Sequence, residues 1–132
     1  MAYVLDTNFI VDVVCRKPQL VERFNEAVSK RTYMAIPRIV EYEVLRGFVH
    51  RPSSHKEAIY RYMRTKCSVV DTNAAAWKRA AYIWAGLRKA GITIGDADIL
   101  IAAYCIENGF ILVTHNTKHF SNIPGIQLED WT

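Results

Sequence analysis

A single α/β domain spanning residues 1–132, with a parallel twisted sheet of four to five short strands and helices on both faces, is predicted by three features of the chain. Short β-branched, apolar runs such as Ala2-Tyr3-Val4-Leu5 and Phe110-Ile111-Leu112-Val113-Thr114 read as strands buried on two sides. They alternate with longer segments of helical periodicity, the pattern of a sheet covered by helices. Acidic residues stand where this arrangement ends a strand or begins a helix: Asp6 after the first strand, Glu43 inside an apolar helix, Asp98 at the head of another.

Taken in order, residues 2–5 form the first strand. Thr7 to Cys15 is a helix with Phe9, Ile10, Val13 and Val14 apolar, capped by Thr7 or Asn8. Pro18 opens a second helix over Gln19–Lys30, with Leu20, Phe24, Ala27 and Val28 on one face. Tyr33–Ile36 is a strand ended by Pro37. The helix carrying Glu43 follows and stops near Gly47–His50; Tyr42, Leu45 and Val49 favour one face of it. Ser54 caps a basic helix, His55–Thr65, and Ser68–Val70 is a third strand. Asp71-Thr72-Asn73 caps the longest helix, Ala74–Ala90, closed by Gly91. Its Trp77, Ala80, Ala81, Trp84 and Leu87 share a face that is expected to pack on the core. A loop leads into the Asp98 helix, which Gly109 ends. Phe110–Thr114 is a buried strand, His115–Pro124 a loop with one helical turn, and Ile126–Glu129 the last strand.

Composition narrows the class. The chain has 132 residues, 51% hydrophobic and 23% charged, which suits a folded domain and not a disordered one. No run of 18 apolar residues spans a membrane. The N-terminus reaches Asp6 too early for a signal peptide, and the cysteine usage below suits a cytoplasmic protein. Cys15, Cys67 and Cys105 fit no zinc or disulfide spacing and read as reduced core cysteines. If Asp6, Glu43 and Asp98 turn inward, the remaining surface sets 17 basic side chains against 10 acids, a balance that attracts polyanions.

In a parallel sheet, ligands bind at the carboxyl ends of the strands. Asp6 and Thr114-His115-Asn116 lie there directly. Asp98 reaches the same rim if its helix runs back against the sheet, and Glu43 follows the second strand. Three carboxylates 4–6 Å apart repel by roughly 3–4 kcal/mol per ionised pair at an effective dielectric of 20. They must protonate, separate or share a cation. Magnesium or manganese suits an all-oxygen set and activates water toward a phosphodiester. Rival assignments exist for each acid. Asp6 or Asp98 can serve as a plain helix cap, Glu41 competes with Glu43 for the inward role, and Asp96 suits a cap or a supporting ligand. Zinc at His115 and His119 is disfavoured, because no third nitrogen or sulfur ligand is near in sequence.

Residues 46–66 hold Arg46, Arg51, Lys56, Arg61, Arg64 and Lys66 against the single acid Glu57, with Phe48, His50, His55, Tyr60 and Tyr62 interleaved. Cations for phosphates beside rings for unpaired bases suit RNA, with Arg46, Arg51, Arg61 and Arg64 as the binding candidates.

Five motifs in order carry a family resemblance: Leu5-Asp6-Thr7-Asn8, Glu43-Val44-Leu45-Arg46-Gly47, Ile94-Gly95-Asp96-Ala97-Asp98 with Ile101-Ala102-Ala103, Leu112-Val113-Thr114-His115-Asn116-Thr117-Lys118-His119-Phe120, and Ile123-Pro124-Gly125-Ile126 with Glu129-Asp130-Trp131. Over its whole length the chain resembles the PIN-domain ribonucleases, and among them the VapC-type toxins of type II toxin–antitoxin pairs. The resemblance implies an endoribonuclease that cleaves transfer or ribosomal RNA and stops translation, a Mg2+ or Mn2+ cofactor, a protein antitoxin partner and a homodimer. It implies Asp6, Glu43 and Asp98 as the catalytic metal-binding acids, with Thr7 and Thr114 orienting them. The family often adds a fourth acid after the last buried strand; this chain offers Asn116 and His119 instead. Two alternatives remain at this stage. Asp6 could be the nucleophile of a phosphoaspartyl phosphotransferase, although Asn8 replaces the second acid such enzymes use. The chain could also be a degenerate module that binds RNA or an antitoxin without cutting.

Overall fold

The computed structural model describes residues 1–132. Five strands, β1 (Ala2–Leu5), β2 (Tyr33–Pro37), β3 (Ser68–Val70), β4 (Ile111–Val113) and β5 (Gln127–Glu129), alternate with seven helices. These are α1 (Thr7–Val14), α2 (Pro18–Ser29), α3 (Arg38–His50), α4 (Ser54–Lys66), α5 (Ala74–Lys89), α6 (Asp96–Asn108) and α7 (Thr117–Phe120). The strands form one sheet in the order β3-β2-β1-β4-β5, and every neighbouring pair is parallel. The expected fold class is the observed one.

The strand order creates the site's address. The chain steps from β1 out to β2 and β3, then returns across the sheet to β4. β1 and β4 are therefore neighbours whose onward connections diverge, and the crevice at their carboxyl ends is the switch point at which such sheets bind ligands. Right-handed crossovers put connections of opposite direction on opposite faces. Helices α1 to α4 thus cover one face and α5 with α6 the other. Because α6 leads straight into β4, it runs against the strands and brings its N-terminus, with Asp98, to the carboxyl rim.

The core lies on both sides of the central strands. Val4, Leu5, Ala35, Ile36, Leu112 and Val113 are fully buried, with Ile10 from one layer and Ile101, Ala102 and Cys105 from the other. Gly109 caps α6 with φ +68°, a left-handed conformation that lets the chain turn at once into β4. Trp131 is buried at the end of the chain. It packs edge-on to Tyr3 and Phe9 at centroid distances of 5.3 and 5.4 Å, beneath the guanidinium of Arg23, and its indole N–H donates to Glu129.

Several local expectations are corrected. Asp6, not Thr7 or Asn8, caps α1, and Ser53, not Ser54, caps α4 by accepting from the Lys56 amide. Asp98 is the third residue of α6 and Asp96 the first, so neither side chain caps that helix. The core side of α3 is Val40, Glu41 and Val44, while Tyr42, Leu45 and Val49 are exposed. On α5 it is Ala76, Ala80 and Leu87 that are buried, and Trp77 and Trp84 face outward. Of the cysteines, Cys15 is exposed, Cys67 half-buried and only Cys105 in the core; burial pushes the Cys67 thiol up to about 12.

Glu41 resolves its rivalry with Glu43. It is buried and turned toward α4, where Arg38, Arg64 and the Tyr60 hydroxyl all donate to its carboxylate. Arg38 extends the network to Asp71 after β3. Burial, and then the Glu41 charge, hold the Tyr60 phenol well above its ordinary value, so it stays a donor. This network ties α3 to α4 and to the end of β3, away from Asp6.

Candidate active site

Asp6 leaves the end of β1 with its amide bonded to the Val113 carbonyl of β4. It is 4% exposed. One carboxylate oxygen accepts from the Thr7 amide at 2.9 Å; the other accepts from Asn8 Nδ2 at 3.0 Å and from the Thr114 hydroxyl at 2.9 Å. Thr114 Oγ1 also accepts from the Asn116 amide at 3.0 Å, so one buried hydroxyl aligns the acid and the segment beyond β4. Asn8 belongs to this arrangement, although the sequence offers it as a helix cap and a motif residue and not as a partner of Asp6. Its position two residues after a strand-ending acid, on the first turn of a helix, was the available signal.

Glu43 comes from α3. Its Oε1 accepts from Thr7 Oγ1 at 2.7 Å, and Arg46 lies 3.5 Å from Oε2. Thr7 thus links the first and second acids through two groups of one residue: its amide donates to Asp6 and its hydroxyl to Glu43. Asp98, from the first turn of α6, is met by His119 of α7, with Nε2 3.0 Å from Oδ2. Asp96 is exposed on the same turn, and the exposed Asn116 precedes α7 without a side-chain cap bond. His115 approaches Asp12 of α1 at 3.1 Å while His119 meets Asp98, so the two rings have different partners.

The electrostatics couple the three acids. The Asp6 carboxyl is raised to about 6, mainly by burial, against the pull of the Thr114 and Thr7 hydrogen bonds; the negative charges of Asp98 and Glu43 raise it further. The N-termini of α1 and α6 offset part of this charge. A hard divalent cation fits the remainder, because all three groups are carboxylates and the charges of two of them bear on the third. In the geometry seen here no three acidic or histidine side chains are grouped as ligands of one ion. Glu43 is turned to Thr7 and Arg46, and Asp98 to His119, so joint coordination requires these two acids to exchange protein partners for the cation.

Beside Glu43, a cleft between α1, α3 and α4 is lined by Arg51 and Lys56 together with Val11, Val44 and Phe48. Arg46 stacks over Tyr42 at 5.1 Å. Arg61 is exposed on α4, and Arg64 is engaged with Glu41.

Replacing Thr114 with Val is expected to remove the hydroxyl bond that lowers the Asp6 carboxyl. The Asp6 value in the metal-free protein should then move above about 6, read by NMR titration of its carboxyl carbon, at a stability cost of about 1–2 kcal/mol. An unchanged titration would remove Thr114 from the site.

Comparison with known proteins gives a consistent result. The PIN domain family profile matches residues 3–126. The chain is 31% identical over 134 residues to a tRNA(fMet)-specific endonuclease VapC of Shigella flexneri, covering all of this chain and 99% of that protein. Among solved structures it is similar to VapBC2 from Rickettsia felis bound to a promoter DNA fragment, with TM-score 0.90, 26% identity and full coverage of both chains. It is also similar to DNA-bound VapBC from Salmonella typhimurium, with TM-score 0.85, 31% identity and coverage of 100% and 99%.

Proposed function

The chain belongs to the PIN domain family, and from that premise we propose that it is a divalent-metal-dependent endoribonuclease, the toxin of a toxin–antitoxin pair, that cuts transfer or ribosomal RNA in the cytoplasm and stops translation. One observation carries the reading. A buried carboxyl at the β1/β4 switch point is fixed by Thr7, Asn8 and Thr114 while two further acids act on it, in a chain that matches proteins named as VapC nucleases from end to end.

Asp6, Glu43 and Asp98 would hold the cation. Mg2+ or Mn2+ there supplies a Lewis acid for a phosphoryl oxygen and a water of lowered pKa. The protein's own part is positional. Thr7 holds both Asp6 and Glu43 until Glu43 turns to the ion, and Thr114 and Asn8 lock the Asp6 rotamer. Arg46 and Arg51, beside Glu43, draw the RNA backbone toward the acids, with Arg61 and Arg64 further along α4.

Two surfaces support the partners. Ile39, Tyr42, Leu45 and Val49 of α3 line an open apolar groove with Trp77 of α5 and Leu100 of α6. A monomer seldom leaves such a patch uncovered, and a second copy of the chain is the proposed cover. A second groove between α1, α2 and α4, lined by Val13, Val21, Phe24, Ile59, Tyr62 and Met63, suits an apolar segment of an antitoxin.

RNA is expected to be cut by the purified protein only with added Mg2+ or Mn2+, and cutting should stop with a chelator. Cleavage that survives chelation would refute the metal mechanism, and RNA left whole with either ion would refute the nuclease.

A further inference from the structure

We propose that His119 is itself a ligand of the cation, through Nε2, and that it biases the site toward first-row transition ions over Mg2+. The inference rests on the metal site proposed above and adds a nitrogen donor to it.

The geometry is specific. His119 Nε2 lies 3.0 Å from Asp98 Oδ2. Two adjacent ligands of an octahedral ion, each about 2.1 Å from it, are themselves about 3.0 Å apart. An ion that takes up this Asp98 oxygen therefore finds the imidazole at the separation of a neighbouring ligand. The ring is also held in place. It stands edge-on to Phe120, centroids 5.3 Å apart, and Phe120 is fully buried. The segment carrying it is fastened to the Asp6 side of the site through the Asn116 amide and Thr114 Oγ1. His119 and Asp98 are each about one-third exposed, open enough to admit an ion between them. Imidazole raises affinity along the first-row series, whereas Mg2+ favours oxygen and retains its waters. The same 3.0 Å also suits a direct hydrogen bond, and the experiment separates the two.

Metal-free protein is loaded with Mn2+ alone, and electron spin-echo modulation reads which nuclei touch the ion. A directly coordinated 14N is expected in the wild type and is expected to vanish in His119→Gln. In parallel calorimetric titrations, His119→Gln should weaken Mn2+ by about tenfold or more while changing Mg2+ by less than about threefold. His119→Asp should bring the two affinities together. Mn2+ bound with oxygen neighbours only, or a nitrogen signal that persists in His119→Gln, overturns the assignment while leaving the acidic site standing. Failure of the wild type to bind Mn2+, or binding unaffected by Asp98→Asn, overturns the site and this inference with it. The wild-type spectrum needs no variant, so misfolding of a substituted protein cannot shield the proposal.

Discussion

Asp6→Asn is expected to lower RNA cleavage by at least about a hundredfold and, at the same time, to make the metal-free protein more stable. The first effect follows from the loss of a fixed charge at the reacting centre, where a single preorganised group is worth about a hundred- to a thousandfold. The second follows from the Asp6 carboxyl being raised from 3.8 to about 6 in the fold. The native state then binds that proton more tightly than the unfolded chain, so stability falls as pH rises through the window from about 4 to about 6 and the full penalty stands above it. Two units correspond to about 3 kcal/mol as an upper bound. Asn escapes the penalty but sets its amide against the Asn8 amide that now donates to Asp6 Oδ2. A net gain of about 1–2 kcal/mol is expected at pH 7.5, a rise in melting temperature of roughly 3–8 °C. Melting curves with and without Mn2+ check both halves. The ion should stabilise the wild type and not the variant. A metal-free variant that melts below the wild type at pH 7.5 would show that Asp6 is not held at an electrostatic cost.

The double replacement Arg38→Ala with Arg64→Ala is expected to cost about 3 kcal/mol, because it strands the buried Glu41 charge with only the Tyr60 hydroxyl. The figure is the low end for a broken buried pair, since the two arginine side chains are themselves 56% and 41% exposed. Adding Glu41→Gln to the double variant should recover more than half of the loss by removing the stranded charge. Urea midpoints of the three proteins test this. A double variant within about 1 kcal/mol of the wild type would mean that water already serves Glu41. Because α3 also carries Glu43, the same lesion should slow cleavage at temperatures where the fold survives.

How far the sequence discloses this molecule depends on the kind of signal. β1 and β4 were legible because an apolar run closed by a polar residue has one reading in a two-faced sheet. The order of α6 and β4 was enough to bring Asp98 to the Asp6 rim. Periodicity failed where it marks an apolar face without saying what covers it. Tyr42, Leu45 and Val49 keep helical spacing, as do Trp77 and Trp84, yet in a single chain these faces look outward. Glu41 shows the converse: a charge at a core position is affordable because Arg38, Arg64 and Tyr60 reach it from three places, and those places are up to 23 residues away in sequence. The division of roles among site residues was the hardest part to read. Thr7 and Thr114 were expected to steady the acids, and they do touch them, but Asn8 and the His119–Asp98 pairing depend on rotamers that no spacing rule encodes.

Trp131 gives the molecule a built-in optical reporter. Of the three indoles, Trp77 and Trp84 stand 55% and 45% exposed, while Trp131 is 5% exposed and wedged against Phe9, less than one turn into the helix that Asp6 begins. A small collisional quencher should therefore darken two emitters readily and spare the third. The blue-shifted, protected component of the emission reports directly on whether the chain beyond β5 remains seated against α1, the helix that starts at Asp6, with no dye attached.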